Sequence, residues 1–161
     1  MTRTVERTFP RTPRELVEGM LSPEYQALRG ERLGGTAPST VTRDGDTATV
    51  TFPRKLPMDS LPGPLRSLAG TGDVTQHERW TAIGDDRCAG EWETEASMPG
   101  KVRGTYEVVA AGEGSATFRV VATAKVNVPL IGGRIAGEVE GHVVRLIEAE
   151  MDLAEQWLRE Q

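Results

Sequence analysis

The apolar positions of this chain keep a period of two for most of its length and then switch to a period near 3.6. Stepping 100° per residue from Ile135 brings Ile135, Val139, Leu146, Leu153 and Trp157 into one narrow arc, which Val143, Ile147 and Ala154 widen on one side. Arg145, Glu148, Asp152, Glu155 and Arg159 fall opposite. The pattern predicts one long amphipathic helix over Arg134 to Leu158, with a core face and a water face. At roughly 1.5 Å per residue, about 25 residues span close to ~38 Å, enough to cross a small sheet. Pro129 and then Gly132-Gly133 predict a turn just ahead of it. Two polar residues interrupt the apolar face: Glu150 in mid-stripe and His142 at its edge. An enclosed carboxylate without a partner is costly, so Glu150 is expected to be paired, protonated or in a wet cavity.

Ahead of that helix the pattern is mostly strands. Thr2 to Phe9 alternates and predicts a first strand. Thr12, Pro13 and Glu15 then fit the start of a helix, with Thr12 as N-cap and Glu15 placed to complete a capping box. Ser22-Pro23-Glu24 predicts a second short helix through Tyr25 and Leu28, ended by Gly30 and Gly34-Gly35. Thr36 to Arg43 and Thr47 to Phe52 flank Asp44-Gly45-Asp46, a strong hairpin signal. Pro53 to Gly70 carries Pro53, Pro57, Pro62 and Pro64 and should not be a central strand. Its Leu61, Leu65 and Leu68 suit one side of a short helix or a lid. Four longer alternating runs follow, Asp73 to Ile83, Arg87 to Met98, Lys101 to Val109 and Ser115 to Val128, separated by glycine-containing turns. In the first, Val74, Gln76, Glu78, Trp80 and Ala82 share a face. In the second, Trp92, Thr94, Ala96 and Met98 oppose Glu91, Glu93 and Glu95, the apolar-in, acidic-out alternation of a sheet with one wet face. Hairpins at regular spacing with helices kept to one side predict an α+β domain built on an antiparallel sheet of about seven strands.

Composition narrows the function classes. The chain has 161 residues and a formal net charge of −5, which suits one domain over residues 1–161 and gives no basic stripe for nucleic acid. Cys88 is the single cysteine, so neither an internal disulfide nor a cysteine metal cluster is available. No run approaches the roughly 20 apolar residues of a membrane span, and the N-terminus has no signal-peptide core. A cytoplasmic location is the expectation.

The order of elements resembles the helix-grip fold of the START-like superfamily, which includes polyketide cyclases and lipid-transfer domains. That fold is a curved antiparallel sheet wrapped around a long C-terminal helix, with two short helices after strand 1. The sequence also resembles an uncharacterised bacterial, actinobacterial-type family within it. The residues that carry this are Ser22-Pro23-Glu24-Tyr25, Lys55-Leu56-Pro57 with Leu61-Pro62, Glu78-Arg79-Trp80 with Gly90-Glu91-Trp92, and Val128-Pro129-Leu130-Ile131-Gly132-Gly133-Arg134-Ile135. The resemblance implies a hydrophobic cavity between sheet and helix, with a hydrophobic small molecule or lipid as partner. It implies no particular reaction.

The residues themselves offer little catalytic signature. His77 and His142 are the only histidines, and His77 falls on the outward face in this register. There is no His-x-x-x-His pair, no P-loop and no Gly-x-Ser-x-Gly elbow, so no metal or cofactor is expected. What remains is a pocket wall. Trp80, Trp92, Met98 and Tyr106 share the inferred concave face with Gln76 and Glu78, while Gly90 and Gly104 leave volume beside them. Glu150 and His142 would face that wall from the helix. Each aromatic has a plain alternative as core packing. Three functions stay open: binding of a hydrophobic ligand, a cyclase or dehydratase using the inward carboxylates, and an interaction scaffold that docks a partner through residues 53–70.

Overall fold

The computed structural model describes residues 2–61, 63–96, 100–127 and 132–161. Seven strands form one antiparallel sheet: β1 (Thr2–Phe9), β2 (Thr40–Asp44), β3 (Thr47–Lys55), β4 (Asp73–Ile83), β5 (Arg87–Ala96), β6 (Gly100–Ala110) and β7 (Ala116–Val126), in the spatial order β1-β7-β6-β5-β4-β3-β2. Helices α1 (Pro13–Leu21) and α2 (Pro23–Arg32) carry the chain from one edge of the sheet to the other. A 3-10 turn (Met58–Ser60) and α3 (Gly63–Leu68) link β3 to β4, and α4 (Gly132–Arg159) closes the chain over the sheet. This is the α+β antiparallel architecture that the hydrophobic pattern predicts, and the helix-grip fold that the order of elements resembles.

Local chemistry sets the element ends. The Thr12 hydroxyl accepts from the Glu15 N–H at 3.2 Å and the Glu15 carboxylate accepts from the Thr12 N–H at 3.0 Å, a complete capping box. The Thr12 backbone bond also draws the Glu15 carboxyl below its ordinary value. Ser22 starts α2 in the same way, accepting from the Tyr25 N–H. Gly30 does not end that helix. It continues to Arg32 and stops where Gly34 takes a left-handed φ of 79°, which glycine adopts without strain.

Two strands depart from the simple alternation. Pro53 lies inside β3, paired with Thr75 of β4. β2 pairs only as far as Thr51, so the side of Pro53 that lacks an N–H faces beyond the end of β2, where its carbonyl accepts from Thr36. The same geometry shortens β2, which begins at Thr40 rather than Thr36. On β4 a bulge between Trp80 and Ala82 shifts the register, turning Ala82 outward and Ile83 inward, against the uninterrupted alternation expected there.

The concave face of the sheet carries the core: Phe52, Trp80, Cys88, Val108, Val120 and Ala122 are all buried against the helices. Helix α4 packs chiefly on β7 and β1. It is buried near both ends, through Ile135, Ala136, Val139 and Glu140 at one and Met151, Leu153, Ala154 and Leu158 at the other. From Gly141 to Glu150 no residue is fully buried. The apolar stripe continues through that stretch, so the middle of the helix stands off the sheet instead of packing on it. Gly132 and Gly133 form the first helical turn, not a turn ahead of the helix, and Pro129 lies outside the described residues. Glu140, which the periodicity does not single out, accepts the Ala124 N–H at 3.0 Å just past the last β1–β7 pair, Thr2–Thr123.

Candidate functional site

Beneath the stand-off of α4 lies a cavity of about 350 Å³. Its floor is the concave sheet, its roof the middle of α4, and it is flanked by α2 and by the β3–β4 link through Leu56, Pro57, Leu61 and Leu65. Trp80, Trp92, Tyr106, Glu78, His142 and Glu150, picked out from the sequence on separate elements, all line this one space. Met98 lies outside the described residues.

The aromatic wall is built by cross-strand pairing. Trp80 stands opposite Gly90, and Trp92 opposite Gly104. A Cβ at Gly90 would come within 3.2 Å of the Trp80 ring, and one at Gly104 within 2.8 Å of Trp92 Nε1 while overlapping the Val121 carbonyl. Each glycine thus lets an indole lie flat over the neighbouring strand. Tyr106 stacks on Trp80 with ring centres 5.0 Å apart and on Trp92 at 6.3 Å, and Phe118 meets Tyr106 edge-on at 5.5 Å.

A polar cluster is set into this apolar wall. Glu78 and Arg29 form a two-pronged ion pair, with Arg29 Nη1 on Oε1 at 3.3 Å and Nη2 on Oε2. Gln76 Nε2 and the Tyr106 hydroxyl donate to the same Oε2, at 2.6 and 3.0 Å. Glu150 reaches Arg29 from α4, its Oε1 2.6 Å from Nε. Both carboxylates are therefore held by one guanidinium, which also lies over the Phe52 ring at 4.4 Å. Burial alone would pull the Arg29 pKa down, but Glu150 and Glu78 outweigh it and hold it well above the ordinary value. Tyr106 is pushed well up, by burial first and then by Glu78 and Glu150. Tyr25 moves the same way, by burial first and then by Glu150. His142 is lowered by burial and by Arg145, whose Nη2 stands 3.1 Å from Nδ1. His77 sits outside the cavity, on the wet face, 3.1 Å from Glu95.

A second guanidinium, Arg54, also lines the cavity. It follows Ala48, Val50 and Phe52 in the inward phase of β3, is 6% exposed, and has its carbon 5.3 Å from the Phe52 ring centre. Neither arginine is marked by the sequence reading, which follows apolar stripes. Arg29 answers the need for a partner to Glu150, but its position on α2 is set by tertiary packing. Arg54 is legible in principle, since the alternation that turns Phe52 inward also turns Arg54 inward once the strand runs through Pro53. Among the described residues no group of acidic, histidine or cysteine side chains could hold a metal ion, and no helix is long and apolar enough to cross a membrane.

A curved seven-stranded sheet gripping a long helix over a cavity is the helix-grip, START-like fold. Solved structures agree over nearly the whole chain. TTHA0849 from Thermus thermophilus superposes with a TM-score of 0.63 at 15% identity, covering 97% of this chain and 95% of that one. The Zhui aromatase/cyclase from Streptomyces sp. R1128 gives 0.60 at 12% identity, covering 97% and 93%. A START superfamily protein from Mycobacterium smegmatis gives 0.58 at 8% identity, covering 98% of each chain. At these identities the likeness is one of fold. No curated protein matches by sequence. Residues 4–158 match the family described as "Protein of unknown function (DUF2505)", and the chain belongs to that family.

Proposed function

We propose that this protein binds a hydrophobic small molecule in the cavity between the sheet and α4. The observation that carries the reading is the stand-off of α4: ten consecutive helical residues, 141–150, give up full burial along an apolar stripe, and the space they leave is about 350 Å³ and mostly apolar. Proteins do not usually leave such volume in a core, because an unfilled cavity forfeits dispersion contacts and costs stability. Its size falls within the range of small-molecule sites, and its lining of aromatics with a few polar groups fits that class. The β3–β4 link belongs to this site. Leu61 and Leu65 are buried and line the cavity, so these apolar side chains of the segment are turned inward.

The test is mass spectrometry of the protein purified from its native host, under native and denaturing conditions, followed by titration of the delipidated protein with a panel of fatty acids, isoprenoids and aromatic polyketides. A small mass released on denaturation, or saturable binding that quenches Trp80 and Trp92 fluorescence, is expected. A bare chain that also binds none of the panel refutes the reading.

A cyclase-type activity is the second reading. It rests on the Tyr106 hydroxyl and two carboxylates at one cavity wall and on the aromatase/cyclase that shares the fold. Against it, both carboxylates are engaged by Arg29, and a base tied to a guanidinium is a weak one. Turnover of a bound polyketide that collapses in Glu78→Gln and Glu150→Gln while binding survives would establish it.

A further inference from the structure

The cavity wall holds two arginines in opposite situations. Arg29 is paired with two carboxylates: it hydrogen-bonds Glu78 and Gln26 through its Nη atoms, and its Nε, which makes no hydrogen bond, lies in an ion pair with Glu150. Arg54 is nearly as buried, yet among the described residues it makes neither a hydrogen bond nor an ion pair, and its Nε is enclosed with no acceptor. Burial pulls its pKa below the ordinary value, Glu150 opposes this from a distance, and Arg29 adds to it. A buried guanidinium left so costs several kcal/mol as an order of magnitude. Two neutral donors nearby are in the same state: Trp92 Nε1 and the Tyr25 hydroxyl are buried, line the cavity and have no partner among the described residues. The wall thus holds enclosed donors that meet no acceptor.

We propose that the ligand is an amphipathic monocarboxylate, its carboxylate received by Arg54 and its apolar body lying against the Trp80–Tyr106–Trp92 stack. This rests on the binding function proposed above and specifies the ligand for the same cavity. A planar guanidinium matches the two oxygens of a carboxylate as a fork, and such charge-assisted pairs are the strong ones in a dry site. The charge count points to a monoanion. Glu78 and Glu150 share the wall, and a dianionic phosphate would meet both with only one free arginine to answer it. The apolar remainder of the cavity excludes a small hydrophilic acid, which would leave the aromatic wall without contacts.

The test uses two matched pairs of probes on the full-length, delipidated protein at pH 8: decanoate with 1-decanol, and 2-naphthoate with 2-naphthylmethanol. Binding is read by calorimetry and by quenching of tryptophan fluorescence. The wild type is expected to bind each acid about tenfold or more tightly than its alcohol, the size of one charge-assisted hydrogen bond. Arg54→Met should abolish that preference while leaving alcohol affinity within about threefold, and Arg54→Gln, which keeps a polar side chain, should do the same. The ligand-free Arg54→Met protein should melt no lower than the wild type, because it sheds a buried charge without a partner. Acids and alcohols that bind alike, or an acid preference that survives both substitutions, overturn the carboxylate assignment and leave the cavity function standing. Failure of all four probes to bind overturns both.

Discussion

Arg29 joins α2, β4 and α4, and its removal gives a measurable account of what holds the cavity open. Arg29→Met keeps most of the side-chain volume but strips the charge from between two carboxylates. Removing one member of a buried ion pair typically costs about 3–5 kcal/mol, because the other charge is left enclosed. Two features of this site set the value near the lower end. Glu78, 6% exposed, retains the donors of Gln76 and Tyr106. Glu150 is 23% exposed, and water can take up part of its lost attraction. The contact of the guanidinium with the Phe52 ring adds a fraction of a kcal/mol to about 1. We expect a loss of about 3 kcal/mol, a large share of a stability of about 5–15. With a urea dependence of about 2 kcal/mol per molar, the midpoint should fall by about 1.5 M. The mechanism has a second signature. Glu78→Gln alone should destabilise by orphaning part of Arg29, whereas in the Arg29→Met background it should cost little or restore stability. The cycle should therefore return a coupling of at least ~1.5 kcal/mol. A single-variant loss below about 1 kcal/mol, or costs that simply add, would mean that packing rather than charge holds these elements together.

Further expectations follow from single features. Both tyrosines of the chain, Tyr25 and Tyr106, are raised above their ordinary value of 10.0 by burial first. The unfolded chain therefore loses phenolic protons near pH 10 before the folded one does, and stability falls as pH rises above 10. Tyrosinate absorbance at ~295 nm should appear only together with loss of the native circular dichroism; free titration near pH 10 in a folded protein would contradict their enclosure. Gly104→Ala places a Cβ on the Val121 carbonyl, a backbone atom, so soluble expression should collapse or the melting temperature drop by at least about 5 °C, as for ~2 kcal/mol in a domain of this size. Gly141→Ala, inside α4 with nothing within 4 Å of the added carbon, should instead raise stability by about 0.5–1 kcal/mol in urea melts.

The elements most readable from sequence are those in which one local rule decides. The α4 stripe, the Thr12 and Ser22 caps, the Asp44-Gly45 hairpin and the limits of β4 all follow from periodicity or one side-chain bond. Periodicity alone fails where a tertiary contact intervenes. Pro53 is admitted to a strand because β2 has already ended beside it. Ala82 faces out because a bulge consumes one residue. Gly30 stays helical because the stop is placed at Gly34. None of these is visible to a rule applied within a single segment.

The candidate site divides along the same line, and the division says what the cavity is for. Its aromatic half lies on strands in regular alternation, with glycines facing the indoles, so a period of two finds it. Its polar half depends on pairs such as Arg29 and Glu78, 49 residues apart, brought together only by the closed fold. Within that half, satisfied and unsatisfied groups carry different meanings. Four donor atoms converge on Glu78, which fixes α2 to the sheet and serves the fold whether or not a ligand is present. Arg54, Trp92 Nε1 and the Tyr25 hydroxyl serve no bond among the described residues, although enclosing them carries a cost. An apolar side chain at position 54 would fill the same wall more stably, so the penalty of an arginine there is best offset by a bond formed with whatever the cavity receives.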